Sequence, residues 1–126
     1  MKKIIKTNEA PAAVGPYSQA VEAGGLLFIS GQIPIVPATG KLMDGDIRQQ
    51  TDQVMKNIGA ILHEAGLDYS DLVKCTCLLA DMADFKAMNE VYGGYFNEDP
   101  PARAAYQVVN LPLGSQIEIE AIALKS

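Results

Sequence analysis

From Asp46 to Gly66 apolar residues recur at helical spacing: Ile47, Val54, Ile58, Ile61, Leu62 and Ala65, with Thr51 on the same side. Asp46 is a good helix start and Gly66 a good stop, so the spacing predicts one long helix there. Elsewhere the apolar runs are strand-sized. Lys3 to Lys6 is a short candidate strand, followed by the loop TNEAPAAVGP, rich in proline and small residues. Tyr17 to Glu22 and Leu26 to Ile33 then read as strands joined at Gly24-Gly25, a hairpin signal. VPATGKLMDGD reads as a loop by its proline, glycines and aspartates. Leu72 to Ala80 is a strand with apolar residues on both faces. A second helix begins near Asp84, with Phe85, Met88, Tyr92 and Phe96 on one side and Gly93-Gly94 blurring its end. Ala102 to Val109 and Gln116 to Leu124 close the chain as strands.

This order predicts a single α+β domain over residues 1–126, a two-layer sandwich of about six strands and two helices. Six strands at ~4.8 Å make a sheet about 29 Å wide. Two helices, each about 10 Å across, cover most of one face and nothing of the other. Yet the strand at 72–80 carries Val73, Cys75, Cys77 and Leu79 on one face and Leu72, Leu78 and Ala80 on the other. The last strand likewise sets Ile117, Ile119, Ala121 and Ala123 opposite Ile122 and Leu124. So large an open apolar face predicts a homo-oligomer that buries it between subunits.

Composition narrows the function classes. The formal net charge of −5 leaves no basic footprint for a phosphate backbone and argues against both nucleic acid and a membrane surface as partners. No apolar run is long enough for a signal peptide or a spanning helix. Cys75 and Cys77, the only cysteines, point the same way on one strand and are poorly placed to bond each other. With no second pair to complete a zinc set, they read as packed thiols, and a cytoplasmic location is the expectation.

The polar residues within the apolar strands carry the chemistry. Arg103, one of only two arginines, follows two prolines in PPARAAYQVV. A buried guanidinium needs a hydrogen-bonded anion, which is either an internal carboxylate, Glu118 or Glu120, or the carboxylate of a ligand. Glu118 and Glu120 lie on one face of one strand, roughly 6.7 Å apart. Their spacing invites comparison with glycosidase carboxylate pairs, but the chain has no tryptophan for sugar stacking. A partly buried carboxylate that positions or deprotonates a water is the better use. Asn89 sits on the apolar stripe of the second helix, either satisfying backbone or pointing into a pocket. Ser30-Gly31 ends a strand where glycine permits close approach of a ligand, or is an ordinary bulge. Tyr17 offers a phenolic hydroxyl or a packed ring. His63, the single histidine, falls on the polar side of the long helix, so no serine or cysteine triad has a base. There is no metal set, P-loop or GxGxxG. A small pocket for an acidic substrate is what these residues leave.

GPYSQAV, ISGQIP, PPARAAYQV and IEIEAIAL, in this order and spacing, are similar to the RidA (YjgF) family over Ala10 to Leu124. The resemblance implies a chorismate-mutase-like fold in which three subunits pack their sheets into a central barrel, with sites in the clefts between neighbours. It implies hydrolysis of 2-imino acids or their enamine tautomers, such as 2-iminobutanoate and 2-iminopropanoate, to 2-oxo acids and ammonia. The imines would be supplied by pyridoxal-phosphate-dependent dehydratases, and no cofactor or metal would be needed. By position, Arg103 would clamp the substrate carboxylate and Glu118 would hold the attacking water. Tyr17, Ser30, Gly31, Asn89 and Ala105 would line the pocket, with Ala105 standing where many members carry cysteine. Tyr106 and Val109 also depart from the common pattern, which bears on substrate range. A non-catalytic homotrimeric regulator that binds 2-oxo acids is the alternative. A ribonuclease, a reading attached to some relatives, is opposed by the net charge of −5.

Overall fold

The computed structural model describes residues 1–125. In chain order the elements are β1 (Lys3–Ile5), β2 (Ala20–Ala23), β3 (Leu26–Gln32), β4 (Ile35–Val36), β5 (Lys41–Leu42) and α1 (Ile47–Glu64), then β6 (Leu72–Leu79), α2 (Phe85–Gly93), β7 (Ala102–Gln107) and β8 (Ile117–Leu124). Six strands form one mixed sheet in the order β1-β2-β3-β8-β6-β7. All neighbours are antiparallel except β6 and β7, which α2 connects in parallel. β4 and β5 make a separate small hairpin that begins one residue before the segment read as loop and otherwise lies within it, because two-residue strands leave no periodic signal.

Local signals account for most of these elements. Gly24 and Gly25 both have positive φ, 59° and 79°, which the tight β2–β3 turn requires. Asp46 caps α1, its carboxylate accepting from Gln49 N at 2.9 Å while the Gln49 side chain accepts from Asp46 N. Val54, Ile58, Ile61 and Leu62 form the buried stripe of α1 and pack with Ile117, Ile119, Ala121, Cys75, Cys77 and Leu79 from the sheet. A fully buried aliphatic side chain contributes about 1.5–3 kcal/mol, so this contact layer dominates the stability of the fold.

Four expectations change. β2 starts at Ala20 rather than Tyr17, because the preceding segment is tied differently: Tyr17 N donates to Gly15 O at 2.8 Å, and the Gln19 amide bonds the backbone of Thr7 and Pro11. In β6, Val73 does not share a face with Cys75. The register against β8 shifts between Leu72 and Lys74, and this bulge buries Leu72 beside Cys75 while Val73 is exposed. Arg103 is exposed rather than buried, since β7 is an edge strand. Val109 lies beyond the end of β7 and is also exposed.

The helices cover one face only. The other presents Phe28 (43% exposed), Leu124 (47%) and Tyr106 (51%), with Leu78 and Ile122 between them. Among the described residues no helix is long and apolar enough to cross a membrane.

Candidate functional site

The residues singled out above gather in two groups. The first lies where β7 runs beside α2. Pro100 and Pro101 hold the chain extended after α2, and β7 then pairs in parallel with β6, setting Arg103 opposite Cys75 and Ala105 opposite Cys77. Cys75 and Cys77 are buried on the helix side, so Arg103 and Ala105 face that side as well. Phe85, Asn89 and Tyr92 stand at i, i+4 and i+7 on α2, one stripe turned toward Arg103. Arg103 Nη1 donates to Asn89 Oδ1 at 2.5 Å. The guanidinium carbon lies 5.4 Å from the centre of the Phe85 ring and 5.2 Å from that of Tyr92, within cation–π range. Arg103 makes no ion pair among the described residues. Beneath it, burial pushes the Cys77 thiol up to about 12 and raises that of Cys75, so neither is a nucleophile at neutral pH. Burial likewise raises the Tyr92 phenol beside Cys75.

The second group lies where β3 meets β8. The β3–β8 register shifts between Ile29 and Gln32, and Ser30-Gly31 occupy the irregularity. Gly31 leaves room there. A Cβ on it would sit 2.3 Å from Glu118 Oε2, so a larger residue would push this carboxylate aside. Ser30 fastens the segment that carries Tyr17, its Oγ donating to Ser18 O at 2.6 Å and its N to Gln19 O at 3.0 Å. Tyr17 is half exposed and joins Gly31 and Glu118 around one cavity of about 230 Å³. Glu118 is partly buried. That burial, with the charge of Glu120 as a smaller cause, raises its carboxyl above the ordinary range. It has no hydrogen-bond or ion-pair partner among the described residues.

The two groups do not meet within one chain. Glu118 pairs with Leu78 and Arg103 with Cys75, three residues apart on the intervening β6, so their side chains leave opposite faces of the sheet. An internal ion pair between Arg103 and Glu118 or Glu120 is therefore not formed. Phe85 and Tyr92 belong to the Arg103 group yet read from sequence only as a core stripe; their spacing from Asn89 was the available signal. His63 is exposed, away from both groups. Among the described residues no three His, Cys, Asp or Glu side chains are grouped to hold a metal.

Comparison with known proteins gives one consistent result. The family model described as Endoribonuclease L-PSP matches residues 7–125. The mouse protein named 2-iminobutanoate/2-iminopropanoate deaminase is 51% identical over 125 residues, covering 99% of this chain and 93% of that one. Reactive Intermediate Deaminase A, chloroplastic, from Arabidopsis thaliana is 52% identical over 122 residues, covering 97% of this chain and 65% of the longer plant protein. The crystal structure of E. coli TdcF with bound serine superposes with a TM-score of 0.94 at 42% identity, covering 98% of this chain and 99% of that one. On the match across nearly its whole length, this chain belongs to the RidA (YjgF) family.

Proposed function

We propose that this protein hydrolyses small 2-imino acids, 2-iminobutanoate and 2-iminopropanoate among them, to 2-oxo acids and ammonia. The observation that carries the reading is the state of Arg103: held by Asn89 and two aromatic rings, yet without an anionic partner among the described residues. A fixed, unpaired guanidinium suits bidentate capture of a carboxylate. Relatives named as deaminases of 2-imino acids, and a structural neighbour with bound serine, supply the ligand class.

Because Arg103 and Glu118 leave opposite faces of one sheet, a small ligand touches both only if two subunits supply them. The uncovered face with Phe28, Leu78, Ile122 and Leu124 is the surface for that assembly, and the family resemblance gives three subunits as its number. In the assembled cleft Arg103 of one subunit binds the carboxylate, and Glu118 of its neighbour holds a water against C2.

The chemistry balances without a cofactor. Water oxygen adds to the electrophilic iminium carbon and passes one proton to the Glu118 carboxylate. The resulting 2-amino-2-hydroxy acid takes that proton on nitrogen. The C–N bond breaks with its electron pair leaving on ammonia, and the hydroxyl proton goes to the ammonia as C2 becomes a carbonyl. Glu118 as an anion also favours the cationic iminium electrostatically. Tyr17, Ser30, Gly31, Asn89 and Ala105 complete the lining, with Gly31 giving Glu118 its place. An RNA substrate, suggested by the name of the family model, is disfavoured by the net charge of −5.

The test is a semicarbazide competition assay with a threonine dehydratase as imine source. Added protein is expected to suppress semicarbazone formation, and both Arg103→Ala and Glu118→Ala are expected to abolish that effect. Full suppression by either variant would remove that residue from the mechanism. A regulator would still bind 2-oxo acids after Glu118→Ala and show no turnover before it.

A further inference from the structure

Leu113 occupies a backbone position that leucine avoids. The chain enters β8 through a turn in which Gly114 N donates to Leu111 O at 3.2 Å, with Pro112 at the first corner. Leu113 takes the second corner with φ 57° and ψ 18°. That is the left-handed conformation which such turns reserve for glycine or asparagine. The side chain gains little from the fold in exchange, being 70% exposed. Neither the backbone nor the core of this chain calls for leucine at 113.

Its surroundings do suggest a use. Leu113, Val14, Ile33 and Ile35 wall the cavity of about 230 Å³ that Glu118 and Tyr17 also line. Two amide side chains in the same lining are already committed. Gln19 is bonded to backbone of Thr7 and Pro11, and Gln32 Nε2 donates to Ser30 O. The Glu118 carboxylate and the Tyr17 hydroxyl are the lining side chains without a partner among the described residues. Away from these two groups the cavity wall is mostly hydrocarbon. A polar side chain entering it would lose its water without replacement, whereas an alkyl chain would gain by burial.

We propose, taking the deaminase reading above as its basis, that this alcove is the side-chain pocket of the site and that Leu113 is its selectivity residue. It favours 2-imino acids with branched or extended apolar side chains, such as the imine related to leucine, over 2-iminopropanoate. Each methylene buried is worth roughly fourfold in affinity, so a leucine-sized side chain should gain at least about tenfold over methyl.

Two measurements test this. Calorimetry compares 2-oxo-4-methylpentanoate with 2-oxopropanoate as stable ligands, and a coupled amino-acid oxidase assay compares kcat/KM for the matching imines. The native protein is expected to favour the branched member about tenfold or more in both. Leu113→Asn and Leu113→Gly should bring that ratio close to one while raising Tm, because both residues tolerate the left-handed backbone. Equal affinity of the native protein for the two oxo acids overturns the proposal, as does an unchanged ratio in both variants. A ratio that falls only together with loss of the native mass in light scattering also overturns it. If the affinity order holds but no imine is hydrolysed, the deaminase reading fails and the apolar pocket stands.

Discussion

Arg103 and Glu118 point away from opposite faces of the same sheet, separated by β6. No side-chain rotation can bring them to one small substrate within a single chain, so a shared role requires two copies. Subunit mixing tests this directly. Arg103→Ala and Glu118→Ala proteins, each inactive alone, should regain activity when dissociated together and reassembled. A cleft then works when its Arg103 side comes from a Glu118→Ala chain and its Glu118 side from an Arg103→Ala chain. Random association at equal amounts makes about a quarter of the clefts intact. Activity near that fraction is expected; none after confirmed co-assembly would show that one chain supplies both groups.

The aromatic support of Arg103 makes a second prediction. Phe85 and Tyr92 lie against the guanidinium at 5.4 and 5.2 Å, and Phe85 is the more peripheral of the two. A cation–π contact at a partly exposed site is worth about 0.5–1 kcal/mol. Phe85→Leu should therefore raise KM roughly two- to fivefold while leaving kcat nearly unchanged, as expected for lost ground-state and transition-state binding alike. Phe85→Tyr keeps the ring and should keep KM. Equal KM values for the leucine and tyrosine variants would show that the ring's charge distribution plays no part.

How far these features are legible in the sequence depends on their range. α1 is written in local terms, a capping aspartate, a stripe from Ile47 to Ala65 and a glycine stop, and it folds as the pattern predicts. The last strand is equally plain, its odd positions buried and its even ones not. The bulge at Val73 is invisible because valine suits a regular strand as well, and only the pairing with β8 reveals the extra residue. The motifs PPAR and IEIE draw attention to Arg103 and Glu118. They do not say which sheet face each occupies, since alternation fixes relative faces within a strand but not the side on which the helices pack. Phe85 and Tyr92 show their helical spacing, yet a core stripe and a cation cradle share it. Leu113 gives no warning at all, because leucine carries no signal for a left-handed backbone.

Glu118 should leave a mark on pH dependence. Its carboxyl is raised above the reference value of 4.5, first by burial and then by Glu120. A raised acid binds its proton more tightly in the folded state than in the unfolded state. Stability then falls as pH rises from the ordinary carboxylate range through the folded value, and the penalty is complete above it. Glu118→Gln should therefore be more stable than the native protein at pH 7, with the difference shrinking as both are taken below about pH 4. Activity runs the other way, because the anion is the form that accepts a proton from water. Activity should therefore fall at acid pH as Glu118 takes up its proton. Thermal melts across pH would count against the assignment if the variant's advantage were the same at both ends.

Gly31 offers the sharpest steric test. The Cβ of an alanine would stand 2.3 Å from Glu118 Oε2 and 2.9 Å from its Cδ, distances that no side chain sustains. The far end of a glutamate is flexible, so the clash is relieved by swinging the carboxylate away, at a cost of about 1–3 kcal/mol in stability if the surroundings resist. Gly31→Ala should then fold but lose most of kcat, because a carboxylate displaced by an ångström no longer holds water against C2. Affinity for a 2-oxo acid, which depends on Arg103 across the cleft, should fall much less. The double variant Gly31→Ala with Glu118→Ala separates the causes. If glycine serves only to admit the carboxylate, adding Gly31→Ala to Glu118→Ala costs no further stability or 2-oxo acid affinity, whereas an additive loss would give Gly31 a role of its own.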